Sequence, residues 1–407
     1  MSGIYFPTVN DSLHSAPVTP RVALVHDFLV SMRGADRVFL EITEMFPDAD
    51  IFTPIYDERG TEGRFAHRRI ETSFLQRLRP NSRTFRAMLP LYPAAIESFD
   101  LSDYDLVVSS SSAWAHAVIC GDHATHVCYC YNPFRYAWNE RHRSLDERGN
   151  VISRAVLRAL FRRWRVWDWI AAQRVTRYVA ISPTTQKRIK RYLGRDSEVL
   201  FPPVDCGRFT PATPGQEYLL VSELVSHKRI DEAVVAFSRL GLPLAVVGDG
   251  PDLRRLRSLA GPTVRFPGRL SDGVLNGMFA ECRALVVTAV EEFGMAAVEA
   301  QAAGRPVLAK AGGGATETVI EGQTGTLWTG GVEGLERAVR EFDPDAIDPR
   351  ACVENAYRFD SSVFRESFRA FLDEAMAQER PPKMDGGLRR RPWLAVATGR
   401  HDVPVSR

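Results

Sequence analysis

The fold is decided by a stretch that reads EEFGMAAVEAQAAGRPV over residues 291–307. It follows the apolar run LVVT at 285–288 and leads into a second run, PVLA, at 306–309. Short apolar runs of this kind are typical of strands that are buried on both faces of a parallel sheet. The stretch therefore predicts a strand–helix–strand unit with two carboxylates. Glu291 would lie in the strand-to-helix loop, and Glu299 in the second turn of the helix.

The same alternation of apolar runs and helical segments continues on both sides of this unit. Prolines and a glycine interrupt it over residues 201–216, which we predict to be a linker. Two α/β domains follow from this pattern, one over residues 21–200 and one over residues 217–355. Ligands of doubly wound sheets bind at the carboxyl ends of the strands, so the cleft between the domains is the expected site.

Composition excludes several classes of protein. The chain has 407 residues, a formal net charge of +2 and 45% apolar residues, which are ordinary values for globular domains. Such a charge does not favour a nucleic-acid partner. The six cysteines have neither disulfide-framework nor zinc spacing. We expect a disordered leader over residues 1–20, a basic disordered tail over residues 377–407, no membrane span and a cytoplasmic location.

One internal segment is strongly basic although the whole chain is nearly neutral. Residues 141–191 contain 14 Lys and Arg against 3 Asp and Glu, and Arg, Trp and Leu interleave at helical spacing over residues 157–170. Two interpretations remain open. The helix could lie on an anionic membrane surface, on the inner face of the plasma membrane, or it could pack its tryptophans inside and expose a solvated basic face.

Several motifs together resemble the family-four retaining glycosyltransferases, which have the GT-B fold. They are the E-x7-E pair Glu291 and Glu299, and the segments AGGGATE at 311–317, GQTG at 322–325, GDGP at 248–251 and FPGR at 266–269. The resemblance extends from about residue 21 to residue 375. It implies two Rossmann-like domains facing a cleft, with a final helix at 356–376 that crosses back to the first domain. It also implies a nucleotide-sugar donor on the second domain and an acceptor on the first.

The N-terminal half is similar to bacterial mannosyltransferases of polysaccharide and O-antigen assembly. The segments that carry this similarity are VHDF at 25–28, MRG at 32–34, FPDADIF at 46–52, LPLYP at 89–93 and FRYAW at 134–138. The similarity implies GDP-mannose as the donor and a lipid-linked or glycan acceptor.

The site residues follow from the chemistry and from the family pattern. Glu299 would accept hydrogen bonds from two ribose hydroxyls. By resemblance, Glu291 would hold the sugar hydroxyls or the positive charge that develops on the sugar, and Lys228 would neutralise the leaving diphosphate. The other donor-side candidates are Gly34, Gly268, Phe293, Gly294, Gly312, Gly313, Gly314 and Arg229. Tyr131 and Arg135 are acceptor-side candidates, and His116 is a third catalytic candidate. No metal and no separate cofactor are expected.

Two positions depart from the family pattern. Glu223 stands where the family has a diphosphate-binding arginine, and Arg229 or His227 could compensate, or Glu223 could orient Lys228. Tyr131 stands where related mannosyltransferases have histidine, for which His116 and His26 are alternatives. Because of these departures, two other functions stay open: a sugar-nucleotide-binding regulator without catalysis, and a nucleotide-sugar epimerase of the same fold.

Overall fold

The protein forms two α/β domains, each built on an all-parallel sheet. The computed structural model describes residues 20–81, 84–146 and 151–379. Of the predicted leader and tail, all but a few residues lie outside the described residues. In the described part, the first domain has a seven-stranded sheet and the second a six-stranded sheet. The predicted pair of doubly wound domains is therefore confirmed.

The elements alternate as the apolar pattern indicates. The strands are β1 (Val22–His26), β2 (Asp50–Thr53), β3 (Ile70–Thr72), β4 (Leu106–Ser111), β5 (Thr125–Cys130), β6 (Arg177–Ala180), β7 (Ser197–Val199), β8 (Tyr218–Val221), β9 (Leu244–Val247), β10 (Val264–Gly268), β11 (Leu285–Val287), β12 (Val307–Lys310) and β13 (Gly325–Trp328). The helices are α1 (Gly34–Met45), α2 (Tyr92–Glu97), α3 (Arg141–Asp146), α4 (Val151–Ala172), α5 (Pro183–Leu193), α6 (Ile230–Leu240), α7 (Leu253–Leu259), α8 (Asp272–Glu281), α9 (Met295–Ala302), α10 (Ala315–Thr318), α11 (Val332–Glu341), α12 (Pro349–Tyr357) and α13 (Ser361–Glu379).

The strand order of each sheet determines which loops lie next to each other at the candidate site. The first sheet has the order β3-β2-β1-β4-β5-β6-β7 and the second has β10-β9-β8-β11-β12-β13. The order therefore reverses between β1 and β4 in one sheet and between β8 and β11 in the other. Ligands of open parallel sheets bind at such reversals, beyond the carboxyl ends of the strands. The loops after β8 and β11 carry Lys228 and Glu291.

A buried carboxylate shapes the reversal point of the first sheet. Asp27 follows β1, is 1% exposed and accepts hydrogen bonds from the backbone N–H groups of Ser112, Trp114 and Ala115 at 2.6–2.7 Å. Hydrogen bonds to a carboxylate are stronger than those between neutral groups. Asp27 therefore holds the loop after β4 against the loop after β1.

The chain returns to the first domain at its end. Helix α13 places the rings of Phe364 and Phe368 edge-on to Tyr129 of β5, with centroids 5.6 and 5.7 Å away. Arg365 of the same helix pairs with Glu41 of α1. The helix expected at residues 356–376 is thus α13, and it packs against the first domain.

Helix α4 divides its tryptophans between two faces. Trp164 is 5% exposed and packs edge-on to Trp114, while Trp167 donates from its indole N–H to Glu97. Trp169 is 50% exposed. Packing inside the domain therefore explains two tryptophans of the basic segment and leaves the third unexplained. In the described part of the chain, every helix is too short or too polar to cross a bilayer.

Candidate active site

The candidate site lies in the cleft between the domains, which charged side chains bridge. The ion pairs that cross the cleft between described residues include Arg33–Glu223 at 3.1 Å, Arg37–Asp272 at 2.7 Å, Arg188–Glu292 at 2.8 Å and Arg269–Glu62 at 2.9 Å. Local sequence spacing contained no signal for these pairs, because each joins residues from different domains.

Two of the predicted residues meet at the centre of the cleft. Lys228 Nζ lies 2.5 Å from Glu291 Oε1, and both side chains are about a quarter exposed. The hydroxyl of Thr288, directly after β11, donates to the carbonyl of Lys228 at 2.7 Å. This bond joins the loop after β8 to the loop after β11, so the ammonium and the carboxylate are held at one place.

The glycine loop after β12 packs directly on the loop that carries Glu291. A Cβ atom on Gly313 would lie 2.1 Å from the carbonyl oxygen of Glu291, and one on Gly314 would lie 2.0 Å from that of Phe293. Only glycine permits this approach. Gly314 donates to the Glu291 carbonyl at 2.8 Å, whereas the N–H groups of Gly312 and Gly313 have no acceptor among the described residues. Two backbone donors are thus left in the loop that packs on Glu291.

Helix α10, which follows the glycine loop, has only four residues, Ala315–Thr318. A helix dipole grows from the peptide units that align along it, so one turn contributes little. The candidate anion-binding groups here are therefore the N–H groups of Gly312 and Gly313 and the ammonium of Lys228.

The second carboxylate of the E-x7-E pair is nearly enclosed. Glu299 is 9% exposed, and its Oε1 atom pairs with Arg208 and lies 4.0 Å from Arg37. Burial raises the pKa of Glu299, and the two arginines oppose this rise without cancelling it. Its Oε2 atom has no hydrogen-bond or ion-pair partner among the described residues. A cavity of about 130 Å³ lies beside it, lined also by Met32 and Met295.

Arg135, an acceptor-side candidate, faces carboxylates. Burial alone would lower the pKa of its guanidinium, but Glu292 and Glu140 outweigh burial and raise it. Burial raises the pKa of Glu292, and Arg135 and Arg188 outweigh it so that the pKa is lowered. Asn132 also donates to Glu292 at 3.2 Å. The structure therefore places Arg135 at the cleft, in a charge network that the sequence pattern did not predict.

Tyr131 and Gly34 belong to one buried arrangement behind the cleft. The Tyr131 hydroxyl donates to the carbonyl of Ala35 at 3.1 Å and lies 2.8 Å from Ser110 Oγ. Ser110 Oγ is 3.0 Å from His26 Nδ1, so the alternative His26 is enclosed as well. A Cβ on Gly34 would lie 3.4 Å from Met295 Sδ, across the cleft. Tyr131 thus stabilises the start of α1, whose first residue faces the second domain.

His116 is not at the cleft. Its side chain is 2% exposed, and its Nε2 atom lies 3.1 Å from Asp168 Oδ1 on α4. Burial lowers the pKa of His116, but Asp168 outweighs burial and the net shift is upward. Its ring neighbours are Trp167 and Tyr178, which belong to the first domain. The geometry gives His116 a role in anchoring α4 rather than contact with a substrate.

The two residues expected to compensate for Glu223 are Arg229 and His227. One is paired with a carboxylate and the other is uncharged. Arg229 has φ of 53°, begins α6 and pairs with Glu232 at 2.7 Å. Burial, together with the charges of Arg143, Lys228 and Arg135, lowers the pKa of His227 to about 4, so this side chain is neutral at pH 7. His227 therefore supplies no positive charge, and the guanidinium of Arg229 is engaged by Glu232. Lys228 itself is oriented by Glu291 and not by Glu223.

Three further donor-side candidates have structural reasons for their identity. Gly268 and Gly294 have φ of +81° and +88°, a conformation that side chains disfavour. Phe293 is 3% exposed and packs against Phe201 and Phe359, with centroids 5.7 and 5.4 Å away. These residues shape the loops of the site. Within the described residues, no group of three His, Cys, Asp or Glu side chains could hold a metal ion.

Comparison with protein families assigns both domains. Residues 32–208 match the family model described as Glycosyltransferase Family 4, and residues 210–359 match the one described as Glycosyl transferases group 1. The two matches adjoin within the linker. Together they cover the second sheet and every strand of the first sheet except β1.

Curated relatives match parts of the chain. A glycogen synthase of Mycobacterium tuberculosis is 35% identical over 157 residues, which cover 35% of this chain and 37% of the relative. A GDP-mannose-dependent alpha-(1-6)-phosphatidylinositol monomannoside mannosyltransferase of Mycolicibacterium smegmatis is 30% identical over 205 residues, covering 42% and 53%. The chain thus spans between about a third and about half of the length of these relatives.

Solved structures share the fold over nearly their whole length. Sucrose-phosphate synthase from Thermosynechococcus elongatus superposes with a TM-score of 0.68 at 17% identity, covering 88% of this chain and 100% of that one. HepE of Anabaena in complex with UDP-glucose has a TM-score of 0.64 at 18% identity, covering 87% and 99%. The predicted GT-B arrangement is confirmed.

Proposed function

We propose that this chain, which belongs to family 4 of the glycosyltransferases, is a retaining glycosyltransferase that moves mannose from GDP-mannose to a lipid-linked or glycan acceptor. The observation that carries the proposal is the Lys228–Glu291 pair beside the glycine loop, at the reversal point of the second sheet. This is where an open parallel sheet binds nucleotides, and the second domain faces the first across the cleft.

The chemistry of transfer fits the charges at this place. When the sugar leaves, negative charge grows on the nucleoside diphosphate and must meet fixed donors. Lys228 and the N–H groups of Gly312 and Gly313 would receive it. Glu291 would hold the sugar hydroxyls or the positive charge that develops on the sugar. The proposal assigns no step to a metal ion.

The choice of donor rests on relatives. The mycobacterial mannosyltransferase is named as GDP-mannose-dependent, as is a second relative of M. smegmatis that is 33% identical over 120 residues. The glycogen synthase and the UDP-glucose complex of HepE make glucose donors the competing choice. A thermal-shift screen of GDP-mannose, UDP-glucose and ADP-glucose decides between them, because a ligand that binds the native state raises Tm. We expect the largest rise with GDP-mannose.

The same screen, followed by an assay of transfer, separates the other functions. Transfer to a mannose-containing lipid or glycan supports the proposal. Binding without turnover would indicate a sugar-nucleotide-binding regulator, and a rearranged nucleotide sugar without acceptor would indicate an epimerase. Preference for a glucose donor would overturn the assignment of mannose. If no nucleotide sugar shifts Tm, the glycosyltransferase proposal itself fails.

The lipid-linked acceptor is supported by the surface of α4. Ile152, Val156, Val166, Trp169 and Ile170 are 50–79% exposed on this helix. Ile152 and Ile170 are five turns apart at 3.6 residues per turn, so they point in the same direction. Interspersed with these side chains are the exposed arginines at 158, 162 and 163. An exposed helix face with apolar and basic side chains favours an anionic membrane surface.

We expect the chain to bind vesicles of phosphatidylglycerol and phosphatidylcholine and to be released by salt. Replacing Arg158, Arg162 and Arg163 by glutamine should weaken binding by roughly a hundredfold, because each basic residue near such a surface contributes on the order of 1 kcal/mol. The matched control replaces Arg254, Arg255 and Arg257, exposed on α7 of the second domain, by glutamine. Cosedimentation measures both. Equal losses in the two triple variants would indicate a nonspecific charge effect and contradict the role of α4.

A further inference from the structure

The tip of α1 brings a second cation to the cleft. Arg33 immediately precedes Gly34, the first residue of the helix, and its guanidinium lies 3.1 Å from Glu223 of the opposite domain. Its backbone N–H donates to Asp36 at 2.9 Å, and Asp36 lies 3.3 Å from His26 Nε2. The backbone of Arg33 is therefore fixed by buried groups, while its side chain, 45% exposed, extends into the cleft.

The partner of Arg33 lies on the loop that carries Lys228. Glu223 follows β8, and its carbonyl accepts a hydrogen bond from the N–H of Val225 at 2.9 Å. The carbonyl of Val225 in turn accepts one from the backbone N–H of Lys228 at 3.0 Å. Two consecutive tight turns thus separate Glu223 from the ammonium. A carboxylate alone at this place would repel a diphosphate. An ion pair with an arginine cancels that charge and leaves further N–H donors of the guanidinium for another anion.

We propose that Arg33 binds the diphosphate of the nucleotide sugar from the first domain and that Glu223 positions it. This inference rests on the proposed function. An exposed ion pair contributes little to folding stability. A stabilising effect on the fold is therefore a weak explanation for the pair of Arg33 and Glu223. On this loop His227 is neutral and Arg229 is paired with Glu232, so a guanidinium from the first domain would complement the charge of Lys228. Donor binding would then require both domains together.

Calorimetry with GDP and GMP tests the proposal, with UDP and UMP run in parallel so that the result does not depend on the base. Wild type should prefer the diphosphate. Arg33→Ala should reduce affinity for the diphosphate at least about tenfold and leave affinity for the monophosphate nearly unchanged, since a charged hydrogen bond to the second phosphate is lost. Arg269→Ala removes another cleft-crossing pair, with Glu62, and is the matched control that should keep the preference.

Two double variants test the geometry. Arg33→Ala with Glu223→Arg returns a guanidinium to the same place from the other domain and should restore the preference for the diphosphate. In the Arg33→Ala background, Glu223→Ala should cause no further loss and should remove the repulsion of the unpaired carboxylate without restoring the wild-type preference. Full recovery of the preference in this double variant would mean that Arg33 only neutralises Glu223, and the contact with phosphate would be overturned. An equal loss from Glu223→Ala in both backgrounds would contradict the positioning role.

The outcomes separate this inference from the function on which it rests. If wild type prefers a diphosphate and Arg33→Ala keeps that preference, the role of Arg33 is overturned and the proposed function stands. If Arg269→Ala loses the preference as strongly as Arg33→Ala, closure of the cleft explains the effect and the contact with phosphate is overturned. If wild type binds no nucleoside diphosphate, both proposals fail.

Discussion

Replacing Lys228 by alanine is expected to lower kcat for sugar transfer by at least about a hundredfold, the scale of losing one electrostatic stabiliser. Lys228 Nζ lies 2.5 Å from Glu291 Oε1, so the positive charge of Lys228 is held at the candidate reacting centre. The interaction strengthens as the bond to the leaving diphosphate breaks, so turnover should fall more than donor affinity does. Single-turnover transfer and calorimetry with the donor measure the two quantities separately.

The neighbouring residue provides the control for Lys228. The sequence makes Arg229 a candidate to compensate for the arginine that the family has at position 223. Its pairing with Glu232 and its 57% exposed side chain instead lead us to expect that Arg229→Ala transfers sugar as wild type does. Wild-type turnover by Lys228→Ala would remove the diphosphate site from this loop. Strong impairment of Arg229→Ala alone would mean that the cation lies at the start of α6.

The strands that the sequence pattern revealed are the inner ones. The elements it left out are β3, β7, β10 and β13, and these are the outermost strands of the two sheets. An inner strand is covered on both faces and favours a continuous apolar run, as β8 (YLLV) and β9 (LAVV) have. An edge strand is less covered, so β3 (IET) and β7 (SEV) can be polar and are then hard to distinguish from loops.

The site was predictable where one loop or helix contains it. Glu291 and Glu299 belong to one strand–helix unit, and the sequence pattern placed the first before the helix and the second in its second turn, where the structure has them. Arg33 and Glu223 are 190 residues apart and meet only because the two sheets face each other. The sequence contained a weaker signal for Arg33, which is an arginine directly before a glycine that begins a helix. Residues that bridge a cleft depend on domain placement, which periodicity and motif spacing do not contain.

Glu299→Ala is expected to weaken binding of the nucleotide sugar about 10- to 150-fold, the range for losing hydrogen bonds to a charged acceptor. Both nearby arginines approach Oε1, so Oε2 is the atom left for the ribose hydroxyls. Because Arg208 and Arg37 keep partial access to solvent, at 23% and 33%, their charges need not be buried in the variant. Glu299→Gln, which retains the shape of the side chain, is measured alongside Glu299→Ala. Thermal melting checks that both variants fold.

A ligand with a modified ribose tests whether Glu299 contacts the ribose hydroxyls directly. Wild type should bind GDP more tightly than 2′,3′-dideoxy-GDP, because the dideoxy sugar has no hydroxyls for Oε2 to accept from. Glu299→Ala should bind the two equally, since the acceptor is gone, and this non-additivity is the signature of direct contact. A fall in affinity with the preference for ribose retained would instead mean that Glu299 acts by holding Arg208 and Arg37. The ribose would then be bound by other groups in the cavity.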